Sequence, residues 1–341
     1  MNPLKILFLH PNRPDYLSDS LFHGLRKVLG SGCVDIPRYD SLYAPLHPDL
    51  RKKLRGNGFT LYGLLDEITS LTSDRFFWEK DLGSYDLVVV SDIWDHYSLV
   101  EKILKLAPEI PIAFLDGSDF QRIFPWSIKE SKRFLKVIRH ARRSFYFKRE
   151  RHGREERFSW NNSMDFFSQS LSGWGKIYPI AFSFPEEKIN IQDPHHKTKI
   201  LAKHIVDKDL AMKMGVQTSY VFEKEEDYYR DISSSRFGVT SKKAGWDCLR
   251  HYEIASQGCV LCFKDLHLKS QNGAPFGLDA TNTVIYSDSS HLMARLNEMS
   301  DTEYQGLHSK SVEWIFNNTT KIRAREFLRT CGFERELTSL S

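Results

Sequence analysis

The chain has 341 residues, with 48 Lys and Arg against 44 Asp and Glu, a net charge of +4, and 41% apolar and 27% charged positions. That length accommodates two domains of ordinary size in a globular protein. The small basic excess argues against a dedicated nucleic-acid binder while permitting a local patch, so no nucleic acid is expected as a partner.

The first apolar run, Leu4-Lys-Ile-Leu-Phe-Leu-His10, reads as a buried strand ended by Pro11-Asn-Arg-Pro14. It is too short for a secretory signal, and no later window approaches the ~18–20 apolar residues that cross a bilayer. Leu17, Leu21, Leu25 and Leu29 repeat at helical spacing and stop at Gly30. Cys33–Ile36 predicts a second strand. Residues 38–82 mix Tyr, Pro and charge, with a short helix expected near Leu64–Leu71.

Tyr85–Asp92 is again a strand run, followed by a helix around Leu99–Leu106 and a strand at Pro111–Asp116. A helix at Phe134–Ala141 and a strand at Phe145–Phe147 complete the first half. A linker is expected at 172–186, where Ser172-Gly-Trp-Gly175 is followed by Pro179 and Pro185. Beyond it come strands at Lys199–Ile205, Ser219–Phe222, Phe237–Thr240, Cys259–Phe263 and Val284–Tyr286, with a final helix over roughly 320–330. Such alternation predicts an α/β protein of two doubly wound parallel sheets facing a cleft. The expected divisions are an N-terminal domain at 1–175, a second at 176–320, and a C-terminal helix crossing back with a tail at 321–341.

The most informative stretch is Arg236–Asp265. Two apolar strands flank the small-residue loop Ser241-Lys-Lys-Ala-Gly245 and about three turns of helix ended by Gly258. Parallel strands joined in this way bind ligands at their carboxyl ends. The loop is expected to present free backbone N–H groups at the helix start, where an anion is favoured, with Lys242 and Lys243 adding charge. Arg250 and Glu253, three apart, share a helix face. A cation there suits a diphosphate, and a carboxylate suits the two ribose hydroxyls. The competing reading is an internal Arg250–Glu253 ion pair on a solvated face.

Gly245-Trp-Asp-Cys-Leu-Arg-His-Tyr-Glu-Ile-Ala-Ser-Gln-Gly-Cys-Val-Leu261 resembles the donor-site segment of GT-B glycosyltransferases. It is closest to the bacterial "glycosyl transferases group 1" module of spore-maturation-like proteins and more distantly similar to the exostosin segment. Tyr178–Ile189, Asn282–Asp288, Asn317–Thr320 and Arg323–Leu328 extend the resemblance over roughly 178–330. The resemblance implies a GT-B-like fold and a nucleotide-sugar donor, with Glu253 as ribose clamp and Arg250 as diphosphate contact. Ser241, Lys242, Lys243, Gly245, Trp246 and Asp247 complete the implied donor site. Retaining members of a related group carry a second glutamate eight positions before the clamp. Here that position is Gly245, so their mechanism is not implied.

Acceptor-side candidates follow the strands of the first half: His10, Asp92, His96 and Asp119. An inverting transferase needs such a group to deprotonate the attacking hydroxyl; the alternative for each is a helix cap. Asp207-Lys-Asp209 matches a metal-binding pattern in letters only and reads better as a helix cap, so no cofactor and no essential metal are expected. The five cysteines, an odd and sparse set, predict reduced thiols in a cytoplasmic setting. Cys259 and Cys262 point to opposite strand faces and are not expected to share a zinc. Residues 121–157 carry 13 Lys and Arg against 4 Asp and Glu. They read as peripheral contact with the inner membrane face or a lipid-linked acceptor, as a contact for nucleic-acid phosphates, or as a solvated helix face plus a strand. The expected function is therefore transfer of a sugar from a nucleotide-sugar donor to a glycan, lipid-linked or other hydroxyl acceptor. The alternative is a non-catalytic nucleotide-, glycan- or polyanion-binding adaptor.

Overall fold

The computed structural model describes residues 3–120, 123–124, 143–151, 176–216, 218 and 222–338. In chain order these form β1 (Ile6–Leu9), α1 (Tyr16–Leu29), β2 (Cys33–Ile36), α2 (Pro48–Arg51), α3 (Leu71–Phe77), β3 (Leu87–Val90), α4 (Ile93–Leu106), β4 (Ile112–Asp116), β5 (Phe145–Lys148) and β6 (Ile177–Pro179). The second half contributes β7 (Lys199–Leu201), α5 (Lys208–Lys213), α6 (Glu225–Ser233), β8 (Ser235–Ser241), α7 (Leu249–Ala255), β9 (Val260–Lys264), β10 (Thr283–Tyr286), α8 (Ser289–Glu298), α9 (Asp301–Phe316), α10 (Thr320–Thr330) and α11 (Glu334–Thr338).

Two all-parallel sheets result, ordered β2-β1-β3-β4-β5-β6 and β10-β9-β8-β7. Side chains alternate across each strand. Ile6 and Phe8 therefore enter a core shared with α1 and α10, while Leu7 and Leu9 pack with Val100 and Ile103 of α4 on the opposite face. The first of these cores continues through Phe184 and Tyr252 to Leu261 and Phe263 of the second sheet. A third cluster, with Phe237, Val239 and Cys262, covers the far face of that sheet beneath α8 and α9. Both faces of each sheet being covered explains the unbroken apolar runs.

α10 lies against α1 in the first half. Its approach is close: a Cβ on Gly24 would stand 2.0 Å from the Thr320 carbonyl oxygen, so only glycine fits. His23 bonds Thr320 Oγ1 through Nδ1 at 2.9 Å and Glu187 through Nε2 at 3.1 Å.

Several expectations need correction. Leu64–Leu71 is not helical; Leu65 instead bridges Tyr43 in extended pairing, and the helix begins at Leu71. The first sheet runs past residue 175, because β6 pairs with β5. The helix after the Ser241–Gly245 loop has two turns rather than three, starting at Leu249 with Cys248 as its cap. Phe222 belongs to no strand, and Ser219–Val221 lie outside the described residues, as does the helix expected at 134–141.

Candidate functional site

Because the strands of the first sheet are parallel, the residues following β3, β4 and β5 gather at one edge. Ser91 and Asp92 follow β3, Asp116 to Asp119 end β4, and Arg149 and Glu150 follow β5. Across from them lies the 242–248 loop with the start of α7. Between the two is a cleft of about 840 Å³, within the range of small-molecule sites.

The floor on the first-half side is a buried charge network. Lys148 donates to Asp116 Oδ1 at 2.9 Å and to Ser118 Oγ at 2.7 Å, and Tyr146 donates its hydroxyl to Asp116 Oδ2. Burial lowers the Lys148 ammonium from its ordinary value, and Asp116 opposes that shift. Arg149, 2% exposed, donates to the Gly117 carbonyl, to Asp119, to Glu150 Oε1 at 3.0 Å and to the Asp247 carbonyl at 3.0 Å. Its guanidinium also lies 4.6 Å from the centre of the Phe182 ring. Asp92 pairs with Arg13, which also reaches Asp95.

On the second-half side, Glu150 Oε1 accepts the backbone N–H of Trp246 at 2.8 Å and of Asp247 at 3.1 Å. The loop N–H groups expected for an anion are thus partly taken by a carboxylate from β5's end, and Lys243 N–H bonds Gly245 within the loop. Gly245 is wedged so tightly that a Cβ would come within 2.4 Å of Glu150 Oε1 and 2.7 Å of Asp119 Oδ1. Asp247 is buried and committed: its carboxylate accepts Phe182 N–H at 2.8 Å and Tyr252 hydroxyl at 2.9 Å.

Arg250 and Glu253 both line the cleft and are each 8% exposed. No ion pair joins them among the described residues. Arg250 Nη2 meets His204 Nε2 at 2.7 Å, and its buried Nε has no hydrogen-bond partner. A buried guanidinium N–H without an acceptor is costly, and a bound anion would satisfy it. Glu253 Oε1 accepts Thr60 hydroxyl at 2.5 Å and Oε2 accepts Tyr228 hydroxyl at 2.7 Å. Burial raises its carboxyl above the ordinary range, and the two hydroxyls act against that shift.

Of the residues expected from sequence, Asp92, Asp119, Lys243, Gly245, Asp247, Arg250 and Glu253 share this cleft. The others lie off its lining. His10 is fully buried, bonded to Asp19 at 2.8 Å and to Asn12 N–H, and stacked on Tyr39; both ring nitrogens are used, leaving none for an acceptor hydroxyl. His96 sits in the first turn of α4, where burial lowers its ring below the ordinary value. Ser241 ends β8 in register with Lys264. Lys242 extends over the Trp246 ring, and Trp246 packs toward Phe263.

Asp207 caps α5 and pairs with Lys264, which also reaches Asp209. No group of three or more His, Cys, Asp or Glu among the described residues is placed to hold a metal. All five cysteines are free thiols, with Cys259 and Cys262 in different cores. Most of the basic stretch 121–157 lies outside the described residues. Its members Lys148, Arg149 and Glu150 are buried in the cleft floor rather than on a surface. Among the described residues no helix is long and apolar enough to cross a membrane.

Arg13, Thr60, Arg149, Glu150 and Tyr228 were not singled out from sequence. Arg149 and Glu150 follow β5 within two residues, but they sit in a run of Lys and Arg that reads as surface.

No model of a protein family matches this sequence, and no curated protein matches it. Solved structures do match over nearly the whole chain. A glycosyltransferase from Rickettsia africae is 9% identical with a TM-score of 0.56, covering 99% of each chain. Anabaena HepE in complex with UDP is 10% identical with a TM-score of 0.55, covering 96% of this chain and 100% of that one. Sucrose-phosphate synthase from Thermosynechococcus elongatus is 10% identical with a TM-score of 0.54, covering 99% and 100%. The fold is that of GT-B proteins, α/β with two Rossmann-like parallel sheets flanked by helices.

Proposed function

We propose that the protein is a glycosyltransferase that moves a sugar from a nucleotide-sugar donor to a hydroxyl acceptor, a glycan or a lipid-linked saccharide. The observation that carries this reading is the placement of Arg250 and Glu253 together in the cleft, facing Asp92 and Asp119. UDP in HepE, a protein of the same fold, supports a nucleotide donor. The similarity of 245–261 to the group 1 donor segment supports the assignment of roles.

Glu253 accepts the ribose hydroxyls, while Arg250 and Lys243 meet the diphosphate. The cleft holds donor and acceptor in line, which removes much of the entropic barrier. In an inverting transfer the acceptor hydroxyl attacks the anomeric carbon as Asp92 or Asp119 takes its proton. The bond from that carbon to the phosphate oxygen breaks, its electron pair leaves on the nucleoside diphosphate, and Arg250 stabilises the charge. These cations make an essential metal unnecessary. A cytoplasmic setting, with the positive charge of the stretch 121–157 favouring an anionic, lipid-linked acceptor, belongs to the same proposal.

Thermal-shift titration with UDP-, GDP-, dTDP-, CMP- and ADP-sugars identifies the donor, because a bound ligand raises the melting temperature. Glu253→Ala should then abolish most of that shift while the apo protein stays folded. Unchanged nucleotide affinity in this variant would sink the assignment.

A further inference from the structure

Thr60 is fully buried, and its backbone lies in the left-handed region at φ 76°. A β-branched residue is disfavoured there, and such conformations persist only where the surroundings impose them. Thr60 is the centre of a tight turn closed by Leu61 N–H to the Phe59 carbonyl at 3.0 Å, and its own N–H and hydroxyl are held by the second half of the chain. Thr60 N–H donates to Glu225 Oε1 at 2.8 Å, and Thr60 Oγ1 lies 2.7 Å from the Tyr229 hydroxyl. The same Oγ1 donates to Glu253 Oε1. Beside it, Asn57 donates to the Phe222 carbonyl at 2.9 Å, and Phe59 stacks on Tyr228.

We propose that Thr60 is a positioning residue for nucleotide binding: together with Tyr228 it fixes the plane of the Glu253 carboxylate so that its cleft-facing lone pairs meet two vicinal ribose hydroxyls. Each carboxylate oxygen accepts one protein hydroxyl and keeps capacity for a second donor. One orienting hydroxyl comes from each half of the chain, so the clamp is complete only when the two halves are seated together. A locked carboxylate avoids the entropic loss of ordering it on binding. The inference rests on Glu253 meeting the ribose.

Its test measures the affinity of UDP against 2′-deoxyuridine diphosphate, and of the GDP and ADP pairs, for wild type, Glu253→Gln, Thr60→Val, Thr60→Ser and Tyr228→Phe. Wild type should prefer the best ribonucleotide over its deoxy form by at least about tenfold. Thr60→Val and Tyr228→Phe should each cut that ratio to a few-fold, and Thr60→Ser should restore it. In Thr60→Val the ribose preference should also fade at a higher pH than in wild type, because a hydroxyl that favours the ionised carboxylate is gone. Should Thr60→Val fail to fold, Tyr228→Phe carries the same reading. A wild type without ribose preference overturns the role of Glu253 and this inference with it. A preference lost in Glu253→Gln but kept in both Thr60→Val and Tyr228→Phe overturns the inference alone.

Discussion

Arg149, at the end of β5, donates Nη1 to the backbone carbonyl of Asp247, 98 positions later, at 3.0 Å. Through that bond, and through Glu150 gripping the neighbouring N–H groups, the first sheet dictates the shape of the loop that precedes α7. Removing the side chain leaves Asp119 and Glu150 without their cation. Arg149→Met should lower apparent stability by about 3–5 kcal/mol, as for one partner of a buried ion pair. Arg149→Lys keeps the charge but not the fork and should fall between. Urea denaturation of the three proteins checks the order.

Gly245→Ala places a methyl group against Glu150 and Asp119. We expect a loss of about 1–3 kcal/mol from overpacking. Truncating Glu150 makes room, so Gly245→Ala in a Glu150→Ala background should cost less than in wild type. A double-mutant cycle reads this directly, and strictly additive losses would show that the two residues do not touch in solution.

His251 is buried between Thr240 Oγ1 and the Trp246 carbonyl, and burial pushes its ring down to about 3. Between its ordinary 6.5 and that value the folded protein binds fewer protons than the unfolded chain. Its contribution to stability is therefore intact above 6.5 and declines as pH falls below it. Labelled histidine NMR should show the His251 resonances unchanged from pH 8 to 5, and His251→Gln should flatten the acid side of the melting-temperature curve.

Glu253 shows the opposite sign. Its raised carboxyl favours the protonated form in the folded state, so the contribution is present below the ordinary 4.5 and lost as pH rises through the folded value. Glu253→Gln should melt higher than wild type at pH 7, and the gap should narrow toward pH 4.5. The same variant should bind nucleotide worse, a trade of stability against binding.

Arg250 and Lys243 supply positive charge where the proposal places the diphosphate, while Asp207 and Asp209 are held by Lys264. Transferase activity should survive EDTA. Loss with the chelator and return with manganese or magnesium would refute metal independence.

The strands were legible because parallel strands covered on both faces spell continuous apolar runs, as in Leu87–Val90 and Ile112–Asp116. Arg250 and Glu253 were legible as a pair because helix spacing is local. Arg149 and Glu150 were not. A run of Lys and Arg reads as surface unless its partners are known, and these partners lie 30 to 98 positions away. Thr60 was hidden for the same reason, in a segment without periodicity whose side-chain partners lie in the other half. α7 is shorter than its sequence pattern suggests because Trp246 and Asp247 spend their N–H groups on Glu150, which no local pattern announces.

The close approach of Gly24 to Thr320 bears on how the chain is assembled. His23 and Thr320 are 297 positions apart, and α1 has no cover on that side until α10 exists. During vectorial synthesis the early sheet would emerge with the helix face around His23 and Gly24 still wet, awaiting a segment made much later. Growing chains lacking α10 should thus be sticky intermediates, candidates for chaperone capture rather than independently foldable halves.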